Sequence, residues 1–249
     1  GVEIAAEFEN FICSFDTKGA CRAEIILVEG SPEILPGFDP WLIARAKRRL
    51  EALGVKIITN AMITAVDATS ATLKDGTRLS LTILVWAGGV KASSVLASLG
   101  VPLSPKGGAI VNEYLEVLPR VFAVGDNAAL VSRNHQKPLP WNVPVAEAEA
   151  KIVAANILAS IRGTEKRPFV SKAKYPFILA VGNKYAIADL VYMRASGLTA
   201  WILKQFVELK YLCFILPIPQ AIATWRKYLS VSVSNDTAPL TPGAGQLPQ

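Results

Sequence analysis

The sequence contains few of the residues that bind metals or form disulfides. It has three cysteines, Cys13, Cys21 and Cys213, with no CxxC pair among them, and a single histidine, His135. Structural zinc sites and disulfide frameworks need closely spaced or paired cysteines, so no metal site is predicted. The cysteines are interpreted as buried small hydrophobes of a protein from a reducing compartment. His135 has no acidic or nucleophilic motif beside it and is predicted to be a solvated loop residue.

Charged residues are also scarce. They make up 18% of the chain, whereas hydrophobic residues make up 51% and the mean hydropathy is +0.35. Soluble domains contain about a quarter charged residues, so an apolar surface that meets a partner or a membrane is expected here. The net charge is +6, but no basic stripe with interleaved aromatic residues is present. The sequence therefore predicts no nucleic-acid partner.

No hydrophobic run is long enough to cross a membrane. The longest charge-free run of the C-terminal region covers residues 211–225 and contains Pro217 and Pro219, whereas a membrane span needs about 20 apolar residues. Basic residues flank this apolar and aromatic region, namely Lys204, Lys210, Arg226 and Lys227. Such flanks are typical of helices that lie in the membrane interface. A hydrophobic subdomain packed on the body of the protein, or a dimer interface, is the alternative.

The N-terminal segment GVEIAAEFENFI lacks a helix cap. Its apolar residues follow the i, i+3, i+4, i+7 spacing of an amphipathic helix from the second residue onward. No Ser, Thr, Asp or Asn precedes this helix, so its first N–H groups have no side-chain partner. Whatever normally precedes Gly1 is therefore expected to have been lost or to be supplied elsewhere.

Short apolar runs rich in β-branched residues alternate with helical patterns along the next part of the chain. Residues 23–28 and 55–59 read as buried strands, with a helix at 40–53 between them. Strand, helix and strand form the βαβ unit of a parallel sheet. A meander of short strands is predicted to follow, with a tight turn at Asp75 and a last strand at 81–86.

The second half of the chain contains one more strand pattern and one long helical pattern. Residues 121–124 read as a buried strand, and residues 143–161 as an alanine-rich helix. The final residues, 237–249, are rich in proline, glycine and threonine. This composition predicts disorder.

Gly1 and Glu29 stand where a dinucleotide-binding βαβ unit carries two of its signature residues. Its glycines let the pyrophosphate approach a helix N-terminus, and an acid after the next strand binds the adenosine ribose. Gly1 corresponds to the last glycine of GxGxxG, and Glu29 to the acid. Their separation exceeds the usual roughly 20 residues, which implies a longer helix or an insertion around residues 15–21. Glu29 is also compatible with a solvated strand terminus.

Five segments carry a resemblance to a known family. GVEIAAE, ILVEGSPEILPGF, VWAGGVKA, VFAVGDNAA and VPVAEAEAKIVAANI resemble, in order and spacing, segments of type II NADH:quinone oxidoreductases. The resemblance covers most of residues 1–227. It implies an α/β fold of the two-dinucleotide-binding-domain flavoprotein type, in partial form, with the cofactors FAD and NAD(H). It also implies a C-terminal fragment, cut inside the NAD glycine motif, without the first FAD-binding half.

This resemblance divides the chain into four parts. Residues 1–87 correspond to the NAD-binding domain without its first strand and first glycines. Residues 88–165 correspond to the C-terminal part of the FAD-binding domain, and residues 166–234 to a C-terminal membrane-associating subdomain. Residues 235–249 are expected to form a disordered tail.

The resemblance also implies nucleotide-binding residues in the first part. Gly1 is expected at the NAD pyrophosphate and Glu29 at the adenosine ribose, where its charge favours NADH over NADPH. Gly88 and Gly89 let the nicotinamide side approach. Glu3 resembles the family's acid near the nicotinamide and is the candidate catalytic residue; it is equally compatible with a carboxylate that only interacts with the helix dipole.

On the flavin side, Asp126 resembles the aspartate that hydrogen-bonds the flavin ribityl chain, and Gly125 leaves room for it. The helix that starts near Ala146 and Glu147 is expected to point its N-terminus at the flavin, where its dipole stabilises the negative charge of reduced flavin. The family pattern AQxxxQ at the quinone pocket is replaced here by Glu147 and Lys151. The electron acceptor thus stays open, and these two residues are equally compatible with an i,i+4 surface pair.

The function implied is transfer of a hydride from NADH to FAD, followed by transfer of two electrons to a quinone. The expected location is the cytoplasmic face of the cell membrane, with peripheral attachment. Two alternatives stay open: a sulfide:quinone oxidoreductase-like flavoprotein, which needs a redox cysteine pair beside the flavin, and an inactive or complementing fragment. Expected partners are NADH, a quinone, the membrane surface and either a complementary N-terminal half or a second copy.

Overall fold

The computed structural model describes residues 1–14, 23–131, 139–172 and 175–234. The chain divides into two units, one made of Gly1–Ala87 with Phe177–Gln249 and one made of Gly88–Pro176. His135, Cys21 and the C-terminal tail lie outside the described residues, as does the segment 15–21 where an insertion was inferred. The division into four parts stays a prediction.

The first unit begins with the βαβ arrangement that the sequence predicts. Its elements are α1 (Val2–Ser14), β1 (Ile26–Val28), α2 (Pro40–Ala52) and β2 (Lys56–Ile58). The two strands are parallel, with Leu27 opposite Ile57. Both are shorter than predicted: β1 comprises the last three residues of the run 23–28, and β2 the middle three of the run 55–59. The βαβ unit itself is confirmed.

Local capping explains where α2 begins, whereas α1 starts without it. The Asp39 carboxylate accepts a hydrogen bond from the Trp41 N–H at 2.9 Å, and Pro40 occupies the first helical position of α2. Both features are typical of helix starts. α1 begins without a side-chain cap, since Gly1 contributes only its carbonyl, which accepts from the Ala5 N–H at 2.9 Å.

An antiparallel meander follows in the first unit. It contains β3 (Ile63–Val66), β4 (Ser70–Leu73) and β5 (Arg78–Ser80). The turn at Asp75 is confirmed: Gly76 has φ +88° and its N–H donates to the Leu73 carbonyl.

The predicted strand at 81–86 is wrong. The Leu81 N–H donates to the Thr69 carbonyl, but no strand lies beside the next residues within the described part of the chain. Ile83 and Trp86 are 69% and 65% exposed. High β-propensity alone does not form a strand without a neighbour that pairs with its backbone and covers its side chains.

The second unit contains short strands and one long helix. They are β6 (Ala109–Ile110), β7 (Glu116–Leu118), β8 (Val121–Phe122), β9 (Ala128–Ala129) and α3 (Val143–Arg162). The strand predicted at 121–124 is shortened to β8, because the chain turns into a 3-10 helical turn at Gly125–Asn127. α3 is confirmed; the Asn142 side chain caps it and Gly163, at φ +68°, ends it.

A three-stranded antiparallel sheet completes the first unit and was not predicted. Its strands are β10 (Phe177–Ala180), β11 (Ala186–Asp189) and β12 (Arg194–Gly197), in that order. The sequence analysis placed apolar helices in this region but did not predict the sheet that precedes them. β11 is buried along its whole length, with α2 and α4 (Leu198–Ile215) in contact with it.

Two helices end the described chain. α4 is followed by α5 (Ile218–Ser234), and the break falls at Leu216, which is extended and precedes Pro217. None of the described helices combines the length and apolar character that a membrane span requires. Cys213 on α4 is exposed, so the prediction of buried cysteines is wrong for this residue. It lies on an apolar helix surface that no described element covers.

The core of the first unit joins its N-terminal and C-terminal segments. Leu42 and Leu50 of α2 are fully buried and pack in one cluster with Val181 and Ile187 of the C-terminal sheet. Arg49 adds a polar link across this packing, because its guanidinium donates to the carbonyls of Val181 and Gly182 at 3.2 and 3.3 Å.

We expect Arg49→Ala to lower the free energy of unfolding by about 2–3 kcal/mol, since two carbonyls lose a charged donor. The guanidinium also stacks on the Tyr185 ring at 4.9 Å, so packing is lost as well. Urea denaturation measures the effect. Arg48→Ala, one residue away on the exposed side of α2, is the control; equal losses for both variants contradict this account.

Candidate functional site

Gly1 brings the start of α1 close to β1. A Cβ atom at this position would lie 3.3 Å from Cδ1 of Leu27, which is tighter than ordinary contact. Close packing of helix on strand is the role of the last glycine in the dinucleotide-binding motif. The position predicted for Gly1 thus has the local geometry that the motif requires.

Glu29 lies directly after β1, at the carboxyl ends of the two parallel strands. Its N–H donates to the Ile58 carbonyl at 2.8 Å, and its Oε1 accepts from the Ser31 N–H at 2.8 Å. Within the described residues, Oε2 has no hydrogen-bond or ion-pair partner. The carboxylate is therefore oriented by its own loop and keeps one oxygen for a ligand hydroxyl.

Glu3 makes contacts that the sequence did not predict. Its Oε1 accepts from the Ala180 N–H at 3.1 Å and lies 4.0 Å from Nζ of Lys204. Lys204 also pairs with Glu208 at 3.2 Å. Glu3 thus links α1 to β10 and α4 while its side chain stays 49% exposed. A role at the nicotinamide stays a prediction.

Gly88 and Gly89 begin the second unit and are both exposed. Gly89 has φ +110°, a conformation that side chains rarely adopt. The same segment is held at Ser93, whose N–H donates to Oδ1 of Asn127 at 3.1 Å. The two glycines are therefore connected to the turn that contains Asp126.

The turn at Gly125 and Asp126 has the clearest binding geometry in the second unit. Gly125 has φ +58°, and a Cβ atom there would lie 3.3 Å from Cβ of Ala146. Glycine therefore fits this position with less strain than a residue that carries a side chain. Asp126 is exposed, and its carboxylate has no hydrogen-bond or ion-pair partner within the described residues. The turn thus presents an unpaired carboxylate beside the first turn of α3.

Glu149 is the functional candidate that the sequence analysis missed. Its side chain is 2% exposed, and its Oε2 accepts from the Gly125 N–H at 2.7 Å. Burial raises the pKa of this carboxyl to about 7, although the Gly125 N–H opposes the rise. The sequence signal that could have indicated its burial is its helical spacing from apolar residues. The buried residues of α3 are Val145, Glu149, Val153, Asn156 and Ala159.

Three further residues of α3 were predicted to lie at the site: Ala146, Glu147 and Lys151. Ala146 contacts Gly125, as described above. Glu147 is half-buried and Lys151 is exposed. No ion pair joins them within the described residues, so the alternative of a surface pair between Glu147 and Lys151 is wrong. Lys151 has an interaction elsewhere.

Trp141 is a packing residue next to this site. Its Nε1–H donates to the Ala128 carbonyl at 2.9 Å, which fixes the ring against β9. A Cβ atom on Gly108 would lie 2.9 Å from Cζ2 of Trp141. No group of three or more His, Cys, Asp or Glu side chains in the described ranges is placed to hold a metal ion.

Comparison with known proteins gives the family. The pyridine nucleotide-disulphide oxidoreductase model matches residues 1–150, and the chain belongs to this family. It is 33% identical over 231 residues to the type II NADH:quinone oxidoreductase Ndh of Mycobacterium tuberculosis, covering 85% of this chain and 48% of that protein. It is 26% identical over 247 residues to demethylphylloquinone reductase NdbB of Synechocystis, covering 96% and 56%.

A solved structure has the same fold. NDH2 from Plasmodium falciparum, in complex with NADH, matches with a TM-score of 0.77 and 16% identity over 96% of this chain and 64% of that one. The α/β fold of the predicted flavoprotein type is thereby confirmed. The chain spans about half the length of the curated relatives it matches.

The residues present fit parts of two dinucleotide sites. In open α/β sheets, nucleotides bind at the carboxyl ends of parallel strands, which is where Glu29 lies. The free oxygen of Glu29 fits a ribose hydroxyl, and the unpaired Asp126 carboxylate fits the hydroxyls of a sugar alcohol. A Cβ at Gly125 would lie 3.3 Å from Cβ of Ala146, so glycine at this position lets the turn that carries Asp126 lie close to α3.

Proposed function

We propose that this chain supplies the NADH site and the ribityl-binding part of the FAD site of a type II NADH:quinone oxidoreductase. FAD, when bound, accepts a hydride and passes two electrons on to a quinone. The observation that carries the proposal is the Asp126 carboxylate, which has no hydrogen-bond or ion-pair partner within the described residues and follows the positive-φ Gly125 of a turn packed against α3. The similarity to relatives named for this activity supports it.

In the first unit, Gly1 and the N-terminus of α1 bind the NAD pyrophosphate, where the free N–H groups and the helix dipole favour negative charge. The free oxygen of Glu29 accepts from the adenosine ribose. A 2′-phosphate there would face this negative charge, so the site selects NADH. Glu3 contributes its carboxylate at the nicotinamide. Gly88 and Gly89, at the start of the second unit, carry no side chain that would exclude the nicotinamide.

In the second unit, Asp126 orients the ribityl chain, and the start of α3 near Ala146 and Glu147 faces the flavin. Helix N-termini carry about half a positive charge, which favours the negative charge of reduced flavin. Glu147 and Lys151 lie toward the quinone and shape its access.

Peripheral attachment to the membrane is the second part of the proposal. Large apolar side chains of α4 and α5 are exposed, among them Phe206, Phe214, Ile215, Ile218, Ile222 and Tyr228. The basic residues Lys210, Arg226 and Lys227 are exposed on the same two helices, whereas Lys204 pairs with Glu208. Apolar side chains with basic neighbours favour binding to an anionic membrane surface. We place this surface on the cytoplasmic face of the cell membrane.

The proposal includes a second polypeptide. As a partner of this chain we propose a complementary N-terminal half that contributes the rest of the FAD site. A homodimer is the alternative assembly. If flavin binds only when this chain is mixed with the N-terminal half, the complementary half is the partner. If this chain binds flavin without it, the homodimer is favoured.

NADH binding to the chain tests the first unit. We expect Glu29→Gln to weaken NADH binding about tenfold, because a charge-assisted hydrogen bond becomes a neutral one. The same variant loses its discrimination against NADPH. Titration calorimetry with both nucleotides measures both effects.

Glu33→Gln is the matched control, since this exposed carboxylate lies four residues along the same loop. It leaves both affinities within about twofold of the original chain, a difference of under half a kcal/mol. Equal affinity of the Glu29→Gln variant and the original chain for NADH contradicts the assignment of Glu29.

A further inference from the structure

The buried, mostly apolar side of α3 contains one acidic residue, Glu149. Val145 and Val153 lie one turn before and one turn after Glu149 on the buried side of this helix. Burying a carboxyl among apolar groups carries a free-energy cost that an apolar residue of similar size avoids. A hydrogen bond that the Glu149 carboxyl makes must therefore offset this cost.

That hydrogen bond goes to the turn of the proposed flavin site. The Gly125 N–H donates to Glu149 Oε2 at 2.7 Å, whereas the other bonds of the turn run from Asn127 N–H to the Val124 carbonyl and from Ala128 N–H to the Gly125 carbonyl. The Gly125 N–H thus has the Glu149 carboxyl as its hydrogen-bond acceptor. Without it, this half-buried donor would be left unsatisfied, which destabilises the turn.

Two residues of α3, one helical turn apart, contact the turn at Gly125. Cβ of Ala146 limits the space above Gly125, and the carboxyl of Glu149, three residues further along the same helix face, binds its N–H. The backbone is therefore fixed immediately before Asp126. Within the described residues, the Asp126 carboxylate has no hydrogen-bond or ion-pair partner that would orient it, so its direction depends on this backbone.

We propose that Glu149 is a positioning residue of the flavin site, whose carboxyl oxygen fixes the Gly125 N–H and so the direction of the Asp126 carboxylate. This inference rests on the proposed function, because it takes the flavin ribityl hydroxyls as the ligand of Asp126. Glu149 itself contacts neither substrate nor cofactor. It acts through Gly125.

The test compares three substitutions of Glu149 in the full chain. Glu149→Gln keeps an oxygen acceptor at the same distance, Glu149→Met keeps the length without an effective acceptor, and Glu149→Asp keeps the charge on a shorter side chain. Glu165→Gln, at an exposed position, is the control. Circular dichroism first establishes the temperature range in which each variant is folded.

The first readout is amide hydrogen exchange at Gly125, which requires no flavin. We expect the Met and Asp variants to exchange about tenfold faster or more, and the Gln variant and the control to stay close to the original chain. A general loss of stability accelerates exchange throughout α3, whereas loss of this contact acts on Gly125 first. Unchanged exchange at Gly125 in the Met and Asp variants overturns the proposal.

The second readout is FAD affinity, measured with the chain mixed with the N-terminal half of a full-length relative. We expect the Met and Asp variants to bind about tenfold more weakly and the Gln variant to bind normally. Normal FAD binding in all three variants overturns the positioning role. If the original chain binds no FAD in this mixture, the proposed function fails, and the exchange at Gly125 still decides whether Glu149 fixes the turn.

Discussion

Glu149→Gln will make the stability of the second unit less dependent on pH. The pKa of Glu149 is raised by burial from its ordinary value of 4.5 to about 7, so the folded chain binds more protons than the unfolded chain between these values. The stability that comes from the neutral carboxyl is fully present below the unfolded pKa. It is lost as the pH rises through the folded pKa.

Glutamine has no charge to lose over this range. The free energy of unfolding of Glu149→Gln, relative to the original chain, will therefore rise by about 2–3 kcal/mol between about pH 5 and about pH 8. Urea denaturation at a series of pH values measures it. Glu165→Gln is the control and will show no such trend. A difference between Glu149→Gln and the original chain that is constant across these pH values contradicts the raised pKa.

Gly108→Val will strongly destabilise the second unit. A Cβ at Gly108 would lie 2.9 Å from Cζ2 of Trp141 and 3.4 Å from the carbonyl carbon of Ala128. Trp141 cannot move freely, because its Nε1–H is bonded to the Ala128 carbonyl. Overpacking of this kind costs about 1–3 kcal/mol, and we expect the upper end because backbone lies on one side of the added group.

A double variant distinguishes this clash from a general effect of valine. Trp141→Leu removes the ring that Gly108→Val meets, so the double variant will lose less stability than the sum of the two single variants. Gly30→Ala is the control, since a Cβ there meets nothing within 4 Å. Additive losses in the double variant show that Trp141 is not what excludes a side chain from position 108.

The elements that the sequence predicted correctly are those with strong local signals. The βαβ unit has the Asp39 cap and two β-branched runs, and α3 has a cap at Asn142 and a glycine at its end. These signals act within a few residues, so the structure needs little tertiary context to follow them. The resemblance to the family likewise rested on short motifs such as VFAVGDNAA.

The elements that the sequence predicted wrongly depend on distant neighbours. Residues 81–86 have the composition of a strand but no described strand beside them. β11 is four residues long and becomes recognisable only through the burial that α2 and α4 provide. Pairing and burial of this kind are long-range properties that a local pattern does not contain.

In the candidate site, too, residues with a local motif were predicted and residues that depend on distant neighbours were not. Gly125 and Asp126 were predicted because they belong to a motif, whereas Glu149 was not, because the run AEAEAK resembles an exposed helix surface. Its burial follows from the approach of the Gly125 turn to α3, where a Cβ added to Gly125 would lie 3.3 Å from Cβ of Ala146. Glu3 was assigned to the nicotinamide, and its bond to the Ala180 N–H could not be inferred before β10 was known.

An anaerobic titration of bound flavin tests the central claim most directly. The chain is incubated with FAD, alone and together with the N-terminal half of a full-length relative, and the visible flavin absorption is followed as NADH or NADPH is added. We predict that flavin is retained in the mixture and that NADH bleaches its absorption at lower concentration than NADPH does. Flavin that is retained but is not bleached by NADH, or a mixture that retains none, contradicts the proposal that this chain carries the NADH and ribityl sites.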